Sequence, residues 1–101
     1  MELNHESLVA DSQGYDYEYA TTVNGIRIRI RIRAYKSYPQ QSFAVGEVWM
    51  EAHGWVECAT LIRGNWVTWG KPSPRQDADC KESVIDAKEE LLSRIGATLG
   101  L

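Results

Sequence analysis

Strict alternation of apolar and polar side chains marks residues 15–33 of the chain. Tyrosine or threonine occupies the odd positions of residues 15–22, and isoleucine alternates with arginine through residues 26–33. A period of two residues predicts strands with one dry and one wet face. Asn24 and Gly25 lie between the two runs and can supply the two positive φ angles of a type I′ turn. The pattern therefore predicts a β-hairpin.

The length of this turn also predicts the register of the hairpin. On the dry face, a two-residue turn pairs Thr21 with Ile28, Tyr19 with Ile30 and Tyr17 with Ile32. On the wet face it produces two acidic–basic pairs, Glu18 with Arg31 and Asp16 with Arg33. Each such pair contributes about 0.2–1 kcal/mol. Arg27 and Arg29 are left without carboxylate partners in the hairpin.

Shorter runs predict further strands after a loop around Pro39. Residues 43–51 and 55–63 are typical of a second hairpin, whose three-residue loop ends in Gly54. The expected pairs are Met50 with Val56, Val48 with Cys58, Gly46 with Thr60 and Ala44 with Ile62. Gly64 and Asn65 then favour a type II′ turn into a short fifth strand at residues 66–69, and the prolines that follow end the sheet. Residues 15–22 and 66–69 become the edge strands.

Helical spacing of apolar residues appears near the end of the chain. Asp79 is a candidate N-cap with Glu82 at the capping-box spacing, and Gly96 is a natural stop. The apolar stripe between them consists of Val84, Ile85, Leu91, Leu92 and Ile95. Leu99, in the short tail, is expected to fold back onto the core.

These elements predict an α+β fold, an antiparallel β-meander of four to five strands with one C-terminal α-helix packed on one face. Residues 15–101 form this single domain. Residues 1–14 are polar and are expected to be a flexible N-terminal arm, with a short helical turn around residues 6–10.

Composition supports a globular protein and places it in the cytoplasm. The chain has 101 residues, of which 44% are hydrophobic and 25% charged. No apolar run approaches the roughly 18 residues of a membrane span, and the first residues are acidic where a secretory signal is basic. We therefore expect no membrane association. Two cysteines, Cys58 and Cys80, are too few for a disulfide framework and are expected to be free thiols.

One helix can cover only one face of such a sheet, so the second face carries the functional prediction. This face combines arginines and tryptophans, the residue types that dominate binding hot spots. It is open to solvent, covered by the N-terminal arm, or buried against another molecule. The sequence favours a small non-enzymatic protein-interaction module, regulator or inhibitor that binds a protein partner or itself as a homodimer. The predicted contact residues are Arg27, Arg29, Trp49, Trp55 and Trp66.

Nucleic-acid binding by the same face is the alternative. Alternation with isoleucine places the arginines about 7 Å apart along one strand, where they can meet phosphates. The candidate residues are Arg27, Arg29, Arg31, Arg33 and Arg63. The formal net charge of −3 and the expected acidic partners of Arg31 and Arg33 argue against this alternative.

No residue pattern predicts catalysis. The two histidines, His5 and His53, lack neighbours at metal-ligand spacing, so we expect no metal and no cofactor. Glu47 and Glu57 share a face, but a flat sheet offers no cleft for a glycosidase mechanism. We therefore expect that the protein is not an enzyme.

Overall fold

The computed structural model describes residues 4–36, 41–61 and 76–100. It contains five strands and one helix, namely β1 (His5–Ala10), β2 (Gly14–Val23), β3 (Ile26–Tyr35), β4 (Phe43–Met50), β5 (Gly54–Leu61) and α1 (Gln76–Leu99). The strands lie in the order β1-β2-β3-β4-β5, each antiparallel to its neighbour. Helix α1 packs across β2 to β5. The predicted α+β meander with a C-terminal helix is confirmed.

The hairpin formed by β2 and β3 has the predicted register. Tyr17 lies opposite Ile32, and Glu18 lies opposite Arg31. Asn24 and Gly25 connect the strands with φ angles of 50° and 79°, as a type I′ turn requires. Alternation on two strands and one short turn were sufficient to define this hairpin, because a slip of one residue would expose every isoleucine.

The N-terminal segment differs from the prediction. Residues 6–10, expected in a flexible arm with a helical turn, belong to β1, which pairs with β2 from His5 opposite Ala20 to Ala10 opposite Tyr15. Asp11 makes the connection, because its Oδ1 accepts hydrogen bonds from the backbone N–H groups of Gln13 and Gly14 at 2.8 and 2.9 Å. Pairing with β1 satisfies backbone groups that β2 would otherwise expose as an edge strand. The expected edge position of residues 15–22 is therefore wrong.

The hairpin of β4 and β5 also differs from the prediction. Val48 lies opposite Val56 and Trp49 opposite Trp55, so the expected pairs of Met50 with Val56 and Val48 with Cys58 are wrong. Gly46 lies opposite Ala59 and Ala44 opposite Leu61, so the other two expected pairs, with Thr60 and Ile62, are wrong as well. A bulge interrupts the ladder, where Gly46 and Glu47 oppose Ala59 and Glu57. Because β5 has one extra residue at the bulge, every later side chain of β5 lies on the face opposite to the predicted one. Leu61 is therefore buried in the core, not on the second face, and Thr60 is exposed.

Helix α1 is longer than the sequence predicts. It continues through Gly96 to Leu99, and Gly100 follows with a φ of 73°. An interior glycine costs about 1 kcal/mol of helix stability. The extra turn offsets this cost by placing Leu99 against the core. Ile85, expected in the buried stripe, is 47% exposed.

The core lies between α1 and the isoleucine side of β3. Ile28, Ile30 and Ile32 are at most 2% exposed. The helix contributes buried side chains at Cys80, Val84, Ala87, Leu91 and Ile95. Within the described residues, no helix has the length and apolar character needed to cross a membrane. The predicted turn at Gly64 and Asn65 and the predicted strand at residues 66–69 lie outside the described residues.

Close packing of α1 on β4 depends on Gly46. A Cβ atom at this position would stand 2.6 Å from Cδ1 of Ile95, which is buried, so the isoleucine or the backbone would have to shift. We expect Gly46→Ala to lower the free energy of unfolding by about 1–3 kcal/mol, as overpacking does. Ile95→Val removes Cδ1 and should cost about 0.5–1.5 kcal/mol by itself.

The double variant tests this contact. Because the clashing atom is absent, Gly46→Ala with Ile95→Val should lose clearly less stability than the sum of the single losses. Urea unfolding of the four chains measures the difference. Simple additivity would show that Gly46 does not set the distance between helix and sheet.

Candidate protein-binding face

The face of the sheet opposite α1, called the open face below, is formed by side chains that alternate with the core residues. It contains the four arginines of β3, and the acidic and apolar residues of neighbouring strands lie on either side. Its main members are Val9, Asp16, Glu18, Arg27, Arg29, Arg31, Arg33, Phe43, Val45, Glu47, Trp49, Trp55, Glu57 and Thr60. The N-terminal segment extends the sheet as β1, so residues 4–10 do not cover this face.

Two tryptophans and two arginines form a cluster at the end of the open face near the hairpin turns. Trp49 and Trp55 lie directly opposite each other on β4 and β5, with ring centroids 5.6 Å apart and an interplanar angle of 74°. The guanidinium carbon of Arg27 stands 5.1 Å from the Trp49 centroid and 5.6 Å from the Trp55 centroid. That of Arg29 stands 4.3 Å from Trp55. We call Arg27, Arg29, Trp49 and Trp55 the Arg–Trp cluster.

Edge-to-face ring packing and cation–π contacts stabilise the cluster. An edge-to-face pair contributes about 0.5–1.5 kcal/mol beyond area burial, and an exposed cation–π contact about 0.5–1 kcal/mol. Trp49 nevertheless stays 38% exposed. The cluster is therefore an aromatic surface with solvent access.

Glu47 pairs with two arginines in the middle of the arginine row. Its Oε1 atom lies 3.0 Å from a terminal nitrogen of Arg29 and accepts hydrogen bonds at 3.1 Å from the Nε atoms of both Arg29 and Arg31. Glu47 is only 8% exposed. The register places Arg29 directly opposite Glu47, and the following arginine on the same face reaches the same carboxylate. Arg29 has no carboxylate partner in the β2–β3 hairpin, as predicted, but β4 supplies one.

Arg33 is neutralised by a residue outside the ladder. Its NH1 nitrogen lies 2.8 Å from Oδ2 of Asp11, the residue that turns the chain from β1 into β2. The hydrogen bond from Arg33, with those from two backbone N–H groups, lowers the pKa of Asp11 to about 2. Arg31 and Arg33 thus pair with Glu47 and Asp11 rather than with the cross-strand carboxylates of Glu18 and Asp16.

Arg27 differs from the other arginines of β3. Among the described residues, no carboxylate lies within ion-pair distance of Arg27, and its guanidinium carbon lies over both indole rings of the cluster. The side chain is exposed. An exposed guanidinium without an anionic partner can donate N–H hydrogen bonds to a ligand.

The structure brings together four of the five predicted contact residues. Arg27, Arg29, Trp49 and Trp55 form the Arg–Trp cluster, whereas Trp66 lies outside the described residues. Arg63 of the nucleic-acid alternative also lies outside them. The organising role of Glu47 was missed, because only the pairing of β3 with β4 places this carboxylate between two arginines.

A second polar group ties β1 to the helix on the other side of the sheet. The hydroxyl of Tyr17 donates a 2.5 Å hydrogen bond to Oε2 of Glu6, and Nζ of Lys88 lies 2.9 Å from the same oxygen. These bonds lower the pKa of Glu6, while burial and then the nearby Glu6 carboxylate raise the pKa of Tyr17. The group has a structural role, because it joins three elements through one carboxylate.

Three features of the described residues bear on metal binding and reactivity. They contain no cluster of three or more His, Cys, Asp or Glu side chains that could hold a metal ion. Burial, followed by Glu47 and Glu57, raises the pKa of the Cys58 thiol, which disfavours the reactive thiolate. A depression of about 520 Å³ lies beside the arginine row, and Glu47 and Glu57 both line it together with Arg31 and Thr60. The expectation that the sheet offers no cleft beside these two carboxylates is therefore wrong.

Comparison of the chain with protein-family models, with curated proteins and with solved structures gives no match in any of the three.

Glu47 should be required for stability because it is buried between two cations. We expect Glu47→Gln to lower the free energy of unfolding by about 1–3 kcal/mol, since the guanidiniums of Arg29 and Arg31 lose their shared anion. Glu57→Gln is the matched control. It lies opposite Glu47 but is exposed, and should change stability by less than about 0.5 kcal/mol. Urea unfolding measures both, and equal losses would contradict this role of Glu47.

Asp11 should make folding sensitive to acid. Its folded pKa of about 2 lies below its ordinary value of 3.8. Its contribution to stability is therefore fully present above about pH 4 and is lost as the pH falls towards 2. Carboxyl chemical shifts from an NMR titration should give this low pKa, and Arg33→Ala should raise it. A titration near the ordinary value in the native chain would contradict the pairing with Arg33.

Proposed function

We propose that this protein is a non-enzymatic interaction module that binds a protein partner through its open face, with the Arg–Trp cluster at the centre. The main support for this proposal is the packed Trp49–Trp55 pair beside Arg27, which has no carboxylate partner among the described residues. Tryptophan and arginine are the residues most enriched at binding hot spots. A pre-ordered cluster also lowers the entropy lost when a partner binds.

The chemistry of Arg27 suggests what the partner presents. A guanidinium can donate two parallel N–H hydrogen bonds to one carboxylate, and Arg27 is exposed and has no carboxylate partner among the described residues. Trp49 provides an apolar surface beside it. The partner therefore presents an aspartate, a glutamate or a chain-terminal carboxylate next to an apolar side chain.

Charge pairing on the open face supports protein binding over nucleic-acid binding. Arg29 and Arg31 share Glu47, and Arg33 pairs with Asp11. A phosphate would have to displace these carboxylates, and non-specific affinity comes mainly from unpaired cations that neutralise phosphate. The overall charge of −3 adds long-range repulsion. The charges of the open face and of the whole chain therefore disfavour nucleic-acid binding.

Selection from a random peptide library on the immobilised protein tests the proposal. We expect enriched peptides that combine an acidic and an aromatic or aliphatic residue. Trp49→Ala and Arg27→Ala should each weaken binding of a selected peptide by about tenfold or more, the loss of a hot-spot contact. Ile85→Ala is the matched control, because it removes an exposed apolar side chain from the helix side of the protein.

A second measurement distinguishes protein binding from nucleic-acid binding. Gel shifts with duplex and single-stranded DNA and RNA are run at low salt, where electrostatic binding is strongest. Binding that depends on Arg27 and Arg31, together with selected peptides that ignore Trp49→Ala, would overturn the protein-binding proposal. Unchanged peptide binding in folded Trp49→Ala and Trp55→Ala chains would also overturn it.

A further inference from the structure

Among the described strands, β1 lies at one end of the sheet and has one edge without a neighbour. No other described strand pairs with the outer side of β1, and β1 contains neither lysine nor proline, the residues that usually block such edges. Leu8 and Val9 are 37% and 56% exposed. An exposed apolar edge strand is a template for pairing with another strand.

The backbone hydrogen bonds identify which groups of β1 point outward. The N–H of Asp11 donates to the carbonyl of Gly14 at 3.0 Å, in the same register as the pairs of β1 with β2. In an antiparallel ladder, hydrogen-bonded pairs alternate with pairs that make no such bonds. Val9, Ser7 and His5 therefore bond to β2. The N–H and carbonyl groups of the remaining residues, Glu6, Leu8 and Ala10, point away from the sheet.

We infer that the β1 edge joins two copies of this chain as an antiparallel pair, with Leu8 on the two-fold axis. In this register Leu8 lies opposite Leu8 of the other copy, and Glu6 lies opposite Ala10. All three outward residues of each strand then form hydrogen bonds in both directions. A two-fold interface must be self-complementary, and this register satisfies that condition.

The side chains are compatible with this register. No like charges face each other, because Glu6 opposes Ala10 and His5 opposes Asp11 of the other copy. The Glu6 carboxylate is already bound to Tyr17 and Lys88. Leu8 and Ile85 line a cavity of about 330 Å³ beside the edge, where Ile85 is exposed. The leucine of the second copy lies beside this cavity and extends its apolar lining.

The pairing has a consequence for the open face. A two-fold axis perpendicular to the sheet keeps equivalent faces on the same side. Both helices then lie on one side of a sheet that runs through both copies, and the two open faces form one continuous surface on the other side. Each Arg–Trp cluster lies away from the axis, since β4 and β5 are at the opposite edge of the described sheet. The dimer therefore displays two clusters.

Sedimentation equilibrium of the intact chain over a wide concentration range tests the inference. We expect a reversible dimer. Leu8→Lys should weaken the dimer by about tenfold or more, because two ammonium groups face each other at the axis and the apolar contact is lost. Met50→Lys is the matched control, with an equal change of side chain at a 48% exposed position on the same side of the sheet. It should leave the dimer unchanged.

Mixing variants tests the register itself. Leu8→Glu should also weaken self-association, whereas a mixture of the Leu8→Lys and Leu8→Glu chains should restore dimers, because opposite charges then face each other at the axis. Amide hydrogen exchange on the unmodified chain gives an answer even if a variant fails to fold. The N–H groups of Glu6, Leu8 and Ala10 should gain protection as the protein concentration rises.

Four results would overturn the inference. They are a monomer at every concentration, a dimer that Leu8→Lys leaves intact, a dimer that Trp49→Ala dissociates, and amide exchange at Leu8 that does not change with protein concentration. Since Trp49 and Leu8 lie on different faces and different strands, failure of the dimer leaves the proposed role of the Arg–Trp cluster standing.

Discussion

The position of β3 at the centre of the sheet is the constraint on which the rest of the structure depends. Its isoleucines fill the core under α1, and the pleat of a strand places the intervening arginines on the opposite face. Burying one side of the strand thus forces a row of like charges onto the other. Like charges at this spacing repel, so neighbouring elements must supply anions or aromatic rings.

The neighbouring elements meet this need in different ways along the row. Glu47 serves Arg29 and Arg31, Asp11 serves Arg33, and Trp49 and Trp55 support the guanidinium of Arg27. Partial burial strengthens the ion pairs of Glu47 with Arg29 and Arg31, because these charges are screened less than they would be in water. The result is a surface whose middle arginines share one carboxylate and whose tryptophan end holds an arginine without a carboxylate partner among the described residues. This gradient along one strand is the physical basis of the proposed binding site.

Two local features decide how this sheet is completed at its sides. The bulge between Glu57 and Ala59 of β5 shifts the alternation of side chains by one residue. Leu61 therefore lies in the core while Glu57 stays on the open face. At the other side, Asp11 closes a tight connection that folds β1 back along β2. Without that connection β2 would be the exposed edge. The fold instead presents β1, a shorter strand whose exposed apolar residues are suited to pairing.

The sequence by itself determined the central hairpin, the helix and the identity of the face that α1 leaves uncovered, because period-two and helical patterns report local geometry directly. It also identified Arg27, Arg29, Trp49 and Trp55 as members of that face. Only the tertiary structure decided that Glu47 joins Arg29 to Arg31, that a bulge buries Leu61, and that residues 5–10 form a strand. These features depend on which strands become neighbours and in what register. A short segment such as β1 carries no periodic pattern strong enough to reveal its partner.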